Sequence, residues 1–435
     1  MRKSDWVYIS LLLITMNMSE WSRTISDNNF YTFRTVKLFG ISLTVLFTIL
    51  LFNYKFIFLK RKFDIFRNTI FKVFSLIFLV GLVVGFLNLI FGDTNIKGFE
   101  SDLYYWIIVI LAFYISYNFK NKDLIENILI ISLLTRPLII LLGWFFKFGE
   151  GNYGGVFISS FDPIDIFIPF ILSLFFLKND IPKWLFMISF LSSLITLVLQ
   201  PSGKSILLLP IGILLIYITS NKSYKNFIRH TVVFIFILIL ILTIMSMGFT
   251  SNNILFKIKF SQATSLLSLV PDVINNPDNV YKMEGSPRDR ILEFLNIIED
   301  LKNSYNIVIG KGFGGSFRDY KYPIPFVRNG YSQDQWLNRQ FYDVHESINY
   351  VFLKFGILGI MFYIIFILYL LKRIFCEKNW KRKFLSIVLI FEFGLMLGYS
   401  LKLAFMFGTL LGIILDKNIW SESNEKSFVY CTTQH

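Results

Sequence analysis

The sequence is poor in the residues that carry most soluble-protein chemistry. Only 17% of its 435 residues are charged, and it has two cysteines and three histidines. Soluble proteins have about 25% charged residues, so this composition excludes a soluble enzyme, a secreted disulfide scaffold and a disordered regulator. Hydrophobic residues instead make up 54% of the chain and aromatic residues 18%. The composition therefore predicts an all-α polytopic membrane protein.

Long apolar runs predict 12 transmembrane helices, or 11 if one of the short runs does not cross. A helix needs about 20 apolar residues to cross the hydrocarbon core. The predicted spans are 5–19, 37–59, 70–91, 102–118, 124–148, 163–177, 183–199, 204–220, 230–249, 345–371, 383–400 and 402–416. The first run has no small-residue cleavage site after it, so we expect it to remain uncleaved. The segments are 1–249 with nine spans, one large loop domain at 250–344, three spans at 345–416 and a tail at 417–435.

Lysine and arginine are distributed unevenly over the alternate connections. Nineteen lie in one set of connections, and six lie in the short loops of the opposite set. Positively charged loops remain in the cytoplasm, so both termini are predicted to be cytoplasmic and the 250–344 loop to be extracytoplasmic. Topology thereby explains most of the net charge of +14, and we expect no nucleic-acid partner. Cys376 and Cys431 then lie on the cytoplasmic side, which leaves the external domain without a disulfide.

The external loop has the pattern of an ordered domain, with eleven basic and ten acidic residues. Apolar residues at helical spacing predict an amphipathic helix from Arg288 to Lys302. They are Ile291, Leu292, Leu295, Ile298 and Leu301. A glycine-rich turn is predicted next, at Gly310, Gly312 and Gly314, and residues 320–336 are predicted to be irregular.

The outer face has little capacity to bind metal. His345 faces outside, whereas His230 and His435 lie on the cytoplasmic side of the predicted topology. A zinc site needs three or four ligands, and the outer loops contain no Asp-x-Asp pair for a metal-held nucleotide sugar. We therefore expect no metal and no cofactor. The chemistry of this face has to be built from cations, one imidazole and carboxylates.

His345 begins the tenth predicted span and is followed by Glu346 and Asn349, which are potential supports for a site at His345. An imidazole at the mouth of a membrane cavity can accept a proton near neutral pH. The alternative is an interfacial histidine that caps a helix start. Gly356 and Gly359 lie three residues apart in the same span, a spacing typical of close helix packing.

Cations occur at two predicted helix starts on the outer side. Lys204 lies in the segment Ser202–Ser205 at the start of the eighth span, and Arg288 and Arg290 open the amphipathic helix. A cation beside exposed backbone N–H groups can bind phosphate. The alternatives are a snorkelling lysine and a solvated helix start with Asp289 as the local partner.

Four further charged residues are potential supports for such a site. Arg136 precedes a proline inside the fifth span and Glu392 lies in the eleventh. Charges inside a span are costly unless they are paired or face a polar cavity, so we expect a lipid-phosphate path or a structural pair. Asp162 and Asp165 begin the sixth span, where they support the cations or cap the helix.

Three sequence motifs, in their order along the chain, resemble those of the O-antigen polymerase and O-antigen ligase superfamily of integral-membrane glycosyltransferases. They are the Ser202–Ser205 segment, an arginine followed by the helix and the Gly-x-Gly-Phe-Gly turn at residues 310–314, and His345 with two later glycines. The resemblance covers roughly residues 200–365 in motif and the whole chain in topology. It departs from the family at Lys204, where arginine is common, and at Glu346, where asparagine is common. Phe294 stands for the usual aromatic residue after the loop arginine.

The resemblance implies a GT-C-like fold in the bacterial inner membrane, with the large loop in the periplasm. It implies an enzyme that polymerises polyprenyl-diphosphate-linked oligosaccharide repeats without a metal, by transfer on the outer face. Lys204 with Ser202 and Ser205 would hold the diphosphate together with Arg288 or Arg290. His345 would deprotonate the acceptor. Four aromatic residues of the loop could stack on sugar rings, namely Tyr320, Tyr322, Tyr331 and Trp336. The implied partners are the lipid-linked oligosaccharide, membrane lipids, a chain-length regulator and a flippase.

Other functions remain open on the sequence. A ligase would share the donor and the chemistry and differ in its lipid-core acceptor. A non-enzymatic flippase would be expected to line a central cavity with charge and to have pseudo-repeated halves, whereas this chain places its cations at outer helix starts and in one loop. A lipid II polymerase is less well matched because it relies on a carboxylate. The lysine and the divergent loop favour the polymerase.

Overall fold

The structure is a computed structural model that describes most of the chain after residue 67. The longer described stretches are 68–91, 94–119, 121–146, 181–199, 254–283, 285–304, 306–325, 331–377, 379–397 and 401–415. Residue 6 and the pieces 8–10, 37–38, 41–42, 152–153, 156–157, 168–170 and 211–212 are also described.

The chain divides into two compact units. The first comprises residues 1–15, 33–126 and 289–435, and the second comprises 16–32 and 127–288. The boundary at 288 runs through the predicted external domain.

Helices account for most of the described residues. They are α1 (Thr69–Ile90), α2 (Ile96–Tyr117), α3 (Lys122–Phe145), α4 (Lys183–Leu199), α5 (Ile254–Asn275), α6 (Ser286–Asn303), α7 (Gln333–Asn338), α8 (Ser347–Cys376), α9 (Trp380–Met396) and α10 (Leu401–Ile414). A 3₁₀ helix spans Pro277–Lys282.

Short strands form three antiparallel pairs among the described residues. They are β1 (Lys37–Leu38) with β2 (Ile41–Ser42), β3 (Asn152–Tyr153) with β4 (Val156–Phe157), and β5 (Phe317–Arg318) with β6 (Gln340–Phe341). In the last pair Phe317 is opposite Phe341 and Arg318 is opposite Gln340.

Four of the described helices are long and apolar enough to cross a membrane, by length and composition. These are α1, α2, the Lys122–Leu142 part of α3, and α8. Seven predicted spans coincide with described helices, namely 70–91, 102–118, 124–148, 183–199, 345–371, 383–400 and 402–416. The other five lie wholly or mostly outside the described residues. The described part therefore fits an all-α membrane protein, and the total of twelve spans stays a prediction.

Three details differ from the sequence prediction. The span predicted at 37–59 begins with the β1–β2 pair instead of a helix. Helix α2 begins six residues before the predicted span because Asn95 caps it, with its Oδ1 accepting from Lys97 N at 2.9 Å. The start of the external loop, for which no element was predicted, contains the 22-residue helix α5.

In the second unit, Asn276 joins α5 to the 3₁₀ helix. Its Oδ1 accepts from Asp278 N at 3.1 Å, and Asn279 Nδ2 donates to the carbonyl of Asp272 at 3.1 Å. In the same unit α3 continues through Pro137. The side chain before it, Arg136, is fully buried.

In the first unit, α8 is interrupted at Gly356, whose backbone has φ 60° and ψ −153°. Residues other than glycine rarely adopt this φ, and a β-carbon there would lie 2.5 Å from the carbonyl carbon of Val308. The N–H groups just after the break are satisfied by a distant segment. Ile357 N donates to the carbonyl of Ile307 at 2.9 Å and Leu358 N to that of Val308 at 3.1 Å.

The same segment also satisfies the carbonyls before the break. Lys311 N donates to the carbonyl of Leu353, and Gly312 N to that of Lys354, each at 2.9 Å. We call residues 307–315 the inserted loop. Non-helical backbone in an apolar helix is tolerated where protein surrounds and satisfies it, so the inserted loop explains how α8 can be interrupted.

The predicted glycine turn is present and forms the tip of the inserted loop. Gly310, Gly312 and Gly314 have φ values of 71°, 70° and 72°. The loop also bonds to α1, because Phe313 N donates to the carbonyl of Gly81 at 2.8 Å. Small residues at this edge of α1 let the loop backbone approach the helix.

Phe313 anchors the inserted loop in an aromatic core. Its ring is fully buried, stacks on Trp106 at 6.5 Å between centroids, and meets Phe355 edge-on at 6.2 Å. Aromatic pairs at such distances are worth about 0.5–1.5 kcal/mol beyond their burial. The loop is thus packed between α1, α2 and α8.

A buried ionic network joins α2 to α8 beside the loop. Lys354 Nζ lies 2.7 Å from Asp102 Oδ2 and donates to the carbonyl of Gly315 at 2.9 Å. Tyr350 donates to Asp102 Oδ1 at 3.0 Å and accepts from Trp106 Nε1 at 3.0 Å. We call Lys354, Asp102, Tyr350 and Trp106 the Lys354 network. It fixes the first half of α8, and therefore the position of His345 just before it.

Candidate functional site

Helix α6 buries polar residues as well as apolar ones, which corrects the predicted apolar face. Its buried residues are Asp289, Leu292, Glu293, Asn296, Ile297 and Leu301. Of the predicted face only Leu292 and Leu301 are among them. The difference arises because distant partners satisfy the polar groups. Asn296, for example, accepts from Tyr322 N at 3.1 Å and donates to its carbonyl at 2.6 Å.

The carboxylate of Glu293 lies beside the predicted base, His345. The side chain of Glu293 is fully buried, and its Oε1 accepts from His345 N at 3.0 Å. The same oxygen lies 3.6 Å from His345 Nδ1. A carboxylate that faces one imidazole nitrogen leaves the other nitrogen available to a substrate hydroxyl group.

Arg290 lies between two carboxylates. Its NH1 is 3.7 Å from Glu293 Oε2, and its Nε is 3.7 Å from Glu346 Oε1. Asn349 Nδ2 donates to the carbonyl of Arg290 at 3.1 Å, which ties the start of α6 to the start of α8. Arg290, Glu346 and Asn349 were all predicted as site residues, and the structure brings them together around His345.

Tyr331 forms the aromatic wall of this cluster. Its ring meets the His345 ring edge-on at 4.8 Å. On its other sides it packs against Phe341 at 4.6 Å and Trp336 at 5.5 Å. Tyr331 and Trp336 were expected to be able to stack on sugar rings. The structure packs them against each other and packs Tyr331 against His345, and sugar stacking stays a prediction.

The Tyr331 hydroxyl keeps its proton. Burial raises the pKa of Tyr331 well above its ordinary value, and the neighbouring Glu293 carboxylate raises it further, while Arg290 opposes the shift. Above neutrality the phenol therefore remains a hydrogen-bond donor. We call Arg290, Glu293, Tyr331, His345 and Glu346 the His345 cluster.

The segment between α7 and α8 is fixed by Gln335. Its Oε1 accepts from Tyr342 N at 2.9 Å and from Asp343 N at 3.2 Å, and its Nε2 donates to Asp343 Oδ2 at 2.7 Å. Gln335 is buried. These bonds order Tyr342 and Asp343, which lie three and two residues before His345, and so reduce the freedom of the imidazole.

The other predicted site residues are either outside the described residues or outside this cluster. Ser202, Lys204, Ser205, Asp162 and Asp165 are outside the described residues, so the diphosphate site stays a prediction. Arg288 belongs to the second unit, whereas Arg290 belongs to the first.

The remaining predicted supports are buried or structural. Arg136 and Glu392 are 0% and 2% exposed, as expected for charges inside helices that are enclosed by protein. The three glycines of the predicted turn let the inserted loop pack against the break in α8, and they do not belong to the His345 cluster.

Sequence reasoning missed Glu293, and it placed Tyr331 only among the aromatic residues that could stack on sugar rings, not beside His345. Glu293 has a weak signal in the sequence, because it lies three residues after Arg290 and four after Asp289 on α6. That spacing aligns polar groups on one face, but the apolar residues of the helix obscured it. Tyr331 has no local signal, since its role depends on a contact with a residue fourteen positions later.

Within the described stretches, no group of three or more histidine, cysteine or acidic residues is arranged to hold a metal ion.

The helices and the cluster define a class: a helical membrane protein with an imidazole, carboxylates and an arginine gathered where a long apolar helix begins. Comparison with known proteins adds no relative, since no family model, no curated protein and no solved structure matches the chain.

Proposed function

We propose that the protein is a membrane glycosyltransferase that joins polyprenyl-diphosphate-linked oligosaccharide repeats into a surface polysaccharide. The observation that carries the proposal is the contact between His345 and the buried Glu293, with 3.6 Å between Nδ1 and Oε1, and with Arg290 beside them. This arrangement suits removal of a proton from a hydroxyl group. It lies directly before a long apolar helix, where a lipid-linked substrate would be presented from the bilayer.

The chemistry needs no metal, because a glycosyl diphosphate already carries a good leaving group. The acceptor oxygen forms a bond to the anomeric carbon of the donor while the bond from that carbon to the diphosphate oxygen breaks. His345 receives the proton of the acceptor hydroxyl. The electron pair leaves with the polyprenyl diphosphate, whose charge Lys204 would offset, with Ser202 and Ser205 as hydrogen-bond donors.

The location follows from the same proposal. The cluster would face the periplasm, with both termini in the cytoplasm of a bacterial cell and the spans in the inner membrane. A flippase would deliver the donor lipid to this face, and a chain-length regulator would act on the growing glycan.

The direct test is to supply the purified protein with a polyprenyl-diphosphate oligosaccharide repeat and to separate the products by size. We expect a ladder of longer glycans. Movement of the lipid across vesicle membranes without any longer product would favour the flippase. Transfer of a single repeat to a lipid-core acceptor would favour the ligase.

Lys204 provides the matched variants for this assay. A charge-assisted hydrogen bond contributes about 1.5–3 kcal/mol, so Lys204→Ala should lower the rate about 10- to 100-fold while Lys204→Arg retains most of it. If Lys204→Ala makes the ladder at the normal rate in a stably produced protein, Lys204 is a snorkelling residue and the diphosphate binds elsewhere.

The predicted orientation can be tested by cysteine labelling. Tyr320 is 72% exposed and Cys376 is also exposed, so both positions can react. In a Cys431→Ser background, Tyr320→Cys should be labelled by an impermeant maleimide on intact spheroplasts, and native Cys376 only after permeabilisation. Labelling of Cys376 before permeabilisation would reverse the orientation.

A further inference from the structure

Polar atoms that lack hydrogen bonds converge around His345. Among the described residues, Arg290 Nε, Glu293 Oε2 and Tyr331 Oη are buried and have no hydrogen-bond partner. Both contacts of the Arg290 guanidinium with carboxylates measure 3.7 Å, which is ion-pair distance but too long for a hydrogen bond.

Such atoms are uncommon, because each unsatisfied buried polar group costs about 1–3 kcal/mol. Native proteins leave only a few of them, and these are usually explained by function or by water. Here they belong to neighbouring side chains, and Glu293 and Tyr331 are 0% and 8% exposed. Their convergence on one imidazole indicates a site that a ligand completes.

The donors and acceptors define the ligand. Arg290 Nε can only donate, Glu293 Oε2 accepts, and the Tyr331 hydroxyl donates and can also accept. A phosphate oxygen would satisfy the arginine but would leave Glu293 without a donor. An alcohol both donates and accepts, so a pair of adjacent hydroxyl groups can satisfy all of these atoms.

The charges around Arg290 also favour a neutral hydroxyl ligand over a phosphate. The guanidinium of Arg290 has Glu293 on one side and Glu346 on the other. Tyr331 also experiences the field of Asp289 and Asp343. A diphosphate would bring further negative charge next to these carboxylates, whereas a neutral polyol would not.

We propose that Arg290, Glu293 and Tyr331 bind adjacent hydroxyl groups of a neutral carbohydrate and hold one of them against His345. The identification of this carbohydrate as the acceptor rests on the proposed glycosyltransferase function; the binding site itself does not. Arg290 then contacts the acceptor sugar and leaves the diphosphate to other cations. Glu293 also positions the imidazole, and the packing of Tyr331 against Phe341 fixes the direction of its hydroxyl.

Binding of simple sugars tests the site without any donor lipid. The full-length protein in nanodiscs is mixed with neutral methyl glycosides of glucose, galactose, mannose, rhamnose and N-acetylglucosamine, and saturation-transfer NMR detects binding. We expect at least one glycoside to bind. Its dissociation constant should rise at least tenfold in Tyr331→Phe and in Glu293→Gln, and should not change in the control Glu299→Gln, which alters a partly exposed carboxylate of the same helix α6.

Inorganic pyrophosphate is the second probe. Titration followed by ³¹P NMR should give the same pyrophosphate affinity in wild type and in Arg290→Gln, although the variant binds the glycoside at least tenfold more weakly. Pyrophosphate that displaces the glycoside, or that loses affinity in Arg290→Gln, would make the cluster a phosphate site and overturn the proposal.

Two further results would also overturn it: no glycoside binds the wild-type protein, or Tyr331→Phe binds as wild type does. Tyr331→Phe removes one hydroxyl group and keeps the ring contacts, and an unchanged melting temperature verifies its fold. If the lipid-linked donor gives no ladder while the glycoside still binds through Tyr331, the glycosyltransferase function fails and the carbohydrate site stands.

Discussion

Replacing His345 with alanine is expected to lower the rate of glycan extension about 10²- to 10⁴-fold, the usual contribution of a general base. Binding of the lipid-linked donor should change little, because the diphosphate contacts lie elsewhere in the proposal. His345→Gln keeps hydrogen bonding but cannot accept the proton, so it should be nearly as slow. Initial rates of ladder formation and donor binding, measured on the same preparations, separate these effects.

His435→Ala is the control for this prediction, since it removes the histidine that ends the chain. It should extend glycans at the wild-type rate. Recovery of most of the rate in His345→Gln would show that the imidazole only positions the acceptor, and would make Glu346 or Asp343 the better base. A loss that follows protein abundance alone would mean that His345 serves the start of α8.

The second large effect is expected for the Lys354 network, because removing one member of a buried ion pair leaves the other charge without compensation. Lys354 is fully buried and its Nζ is 2.7 Å from Asp102. Lys354→Met should therefore lower the free energy of unfolding by about 3–5 kcal/mol. Thermal unfolding in detergent, followed by the fraction of monodisperse protein, measures the change.

The exposed pair of Lys97 and Asp334 gives a matched control in the same unit. Their side chains are 60% and 53% exposed, so solvent screens the interaction and Lys97→Met should have a much smaller effect. The double variant Lys354→Met with Asp102→Asn should recover part of the lost stability, since it removes both charges. If Lys354→Met unfolds at the same temperature as the wild type, the network does not hold α2 against α8.

Local patterns predicted much of the described structure. The apolar runs located α1, α3, α4 and α8, because a helix that crosses a membrane requires about 20 apolar residues whatever it contacts. The amphipathic helix after Arg288 is confirmed as α6, and the glycine turn at residues 310–314 is confirmed. Each of these features depends on backbone preferences and hydrophobic spacing, which a short segment carries by itself.

The interruption of α8 could not be predicted in this way. Gly356 and Gly359 indicated close helix packing, but only the fold placed the inserted loop, some 40 residues earlier in the chain, against the break. The backbone groups on both sides of Gly356 are satisfied by residues 307–312. A sequence pattern cannot specify which distant backbone will meet such groups.

For the site, the sequence alone singled out His345, with Glu346 and Asn349 as potential supports after it and Arg288 or Arg290 before it, because charged and imidazole groups at the edges of apolar segments are few. Tertiary structure decided that Glu293 and Tyr331 surround His345. Glu293 lies 52 positions before the histidine, and its carboxylate is stable in the interior only because His345 N and Arg290 are placed beside it. The cost of burying a charge depends on which groups surround it in space, and the fold determines those neighbours.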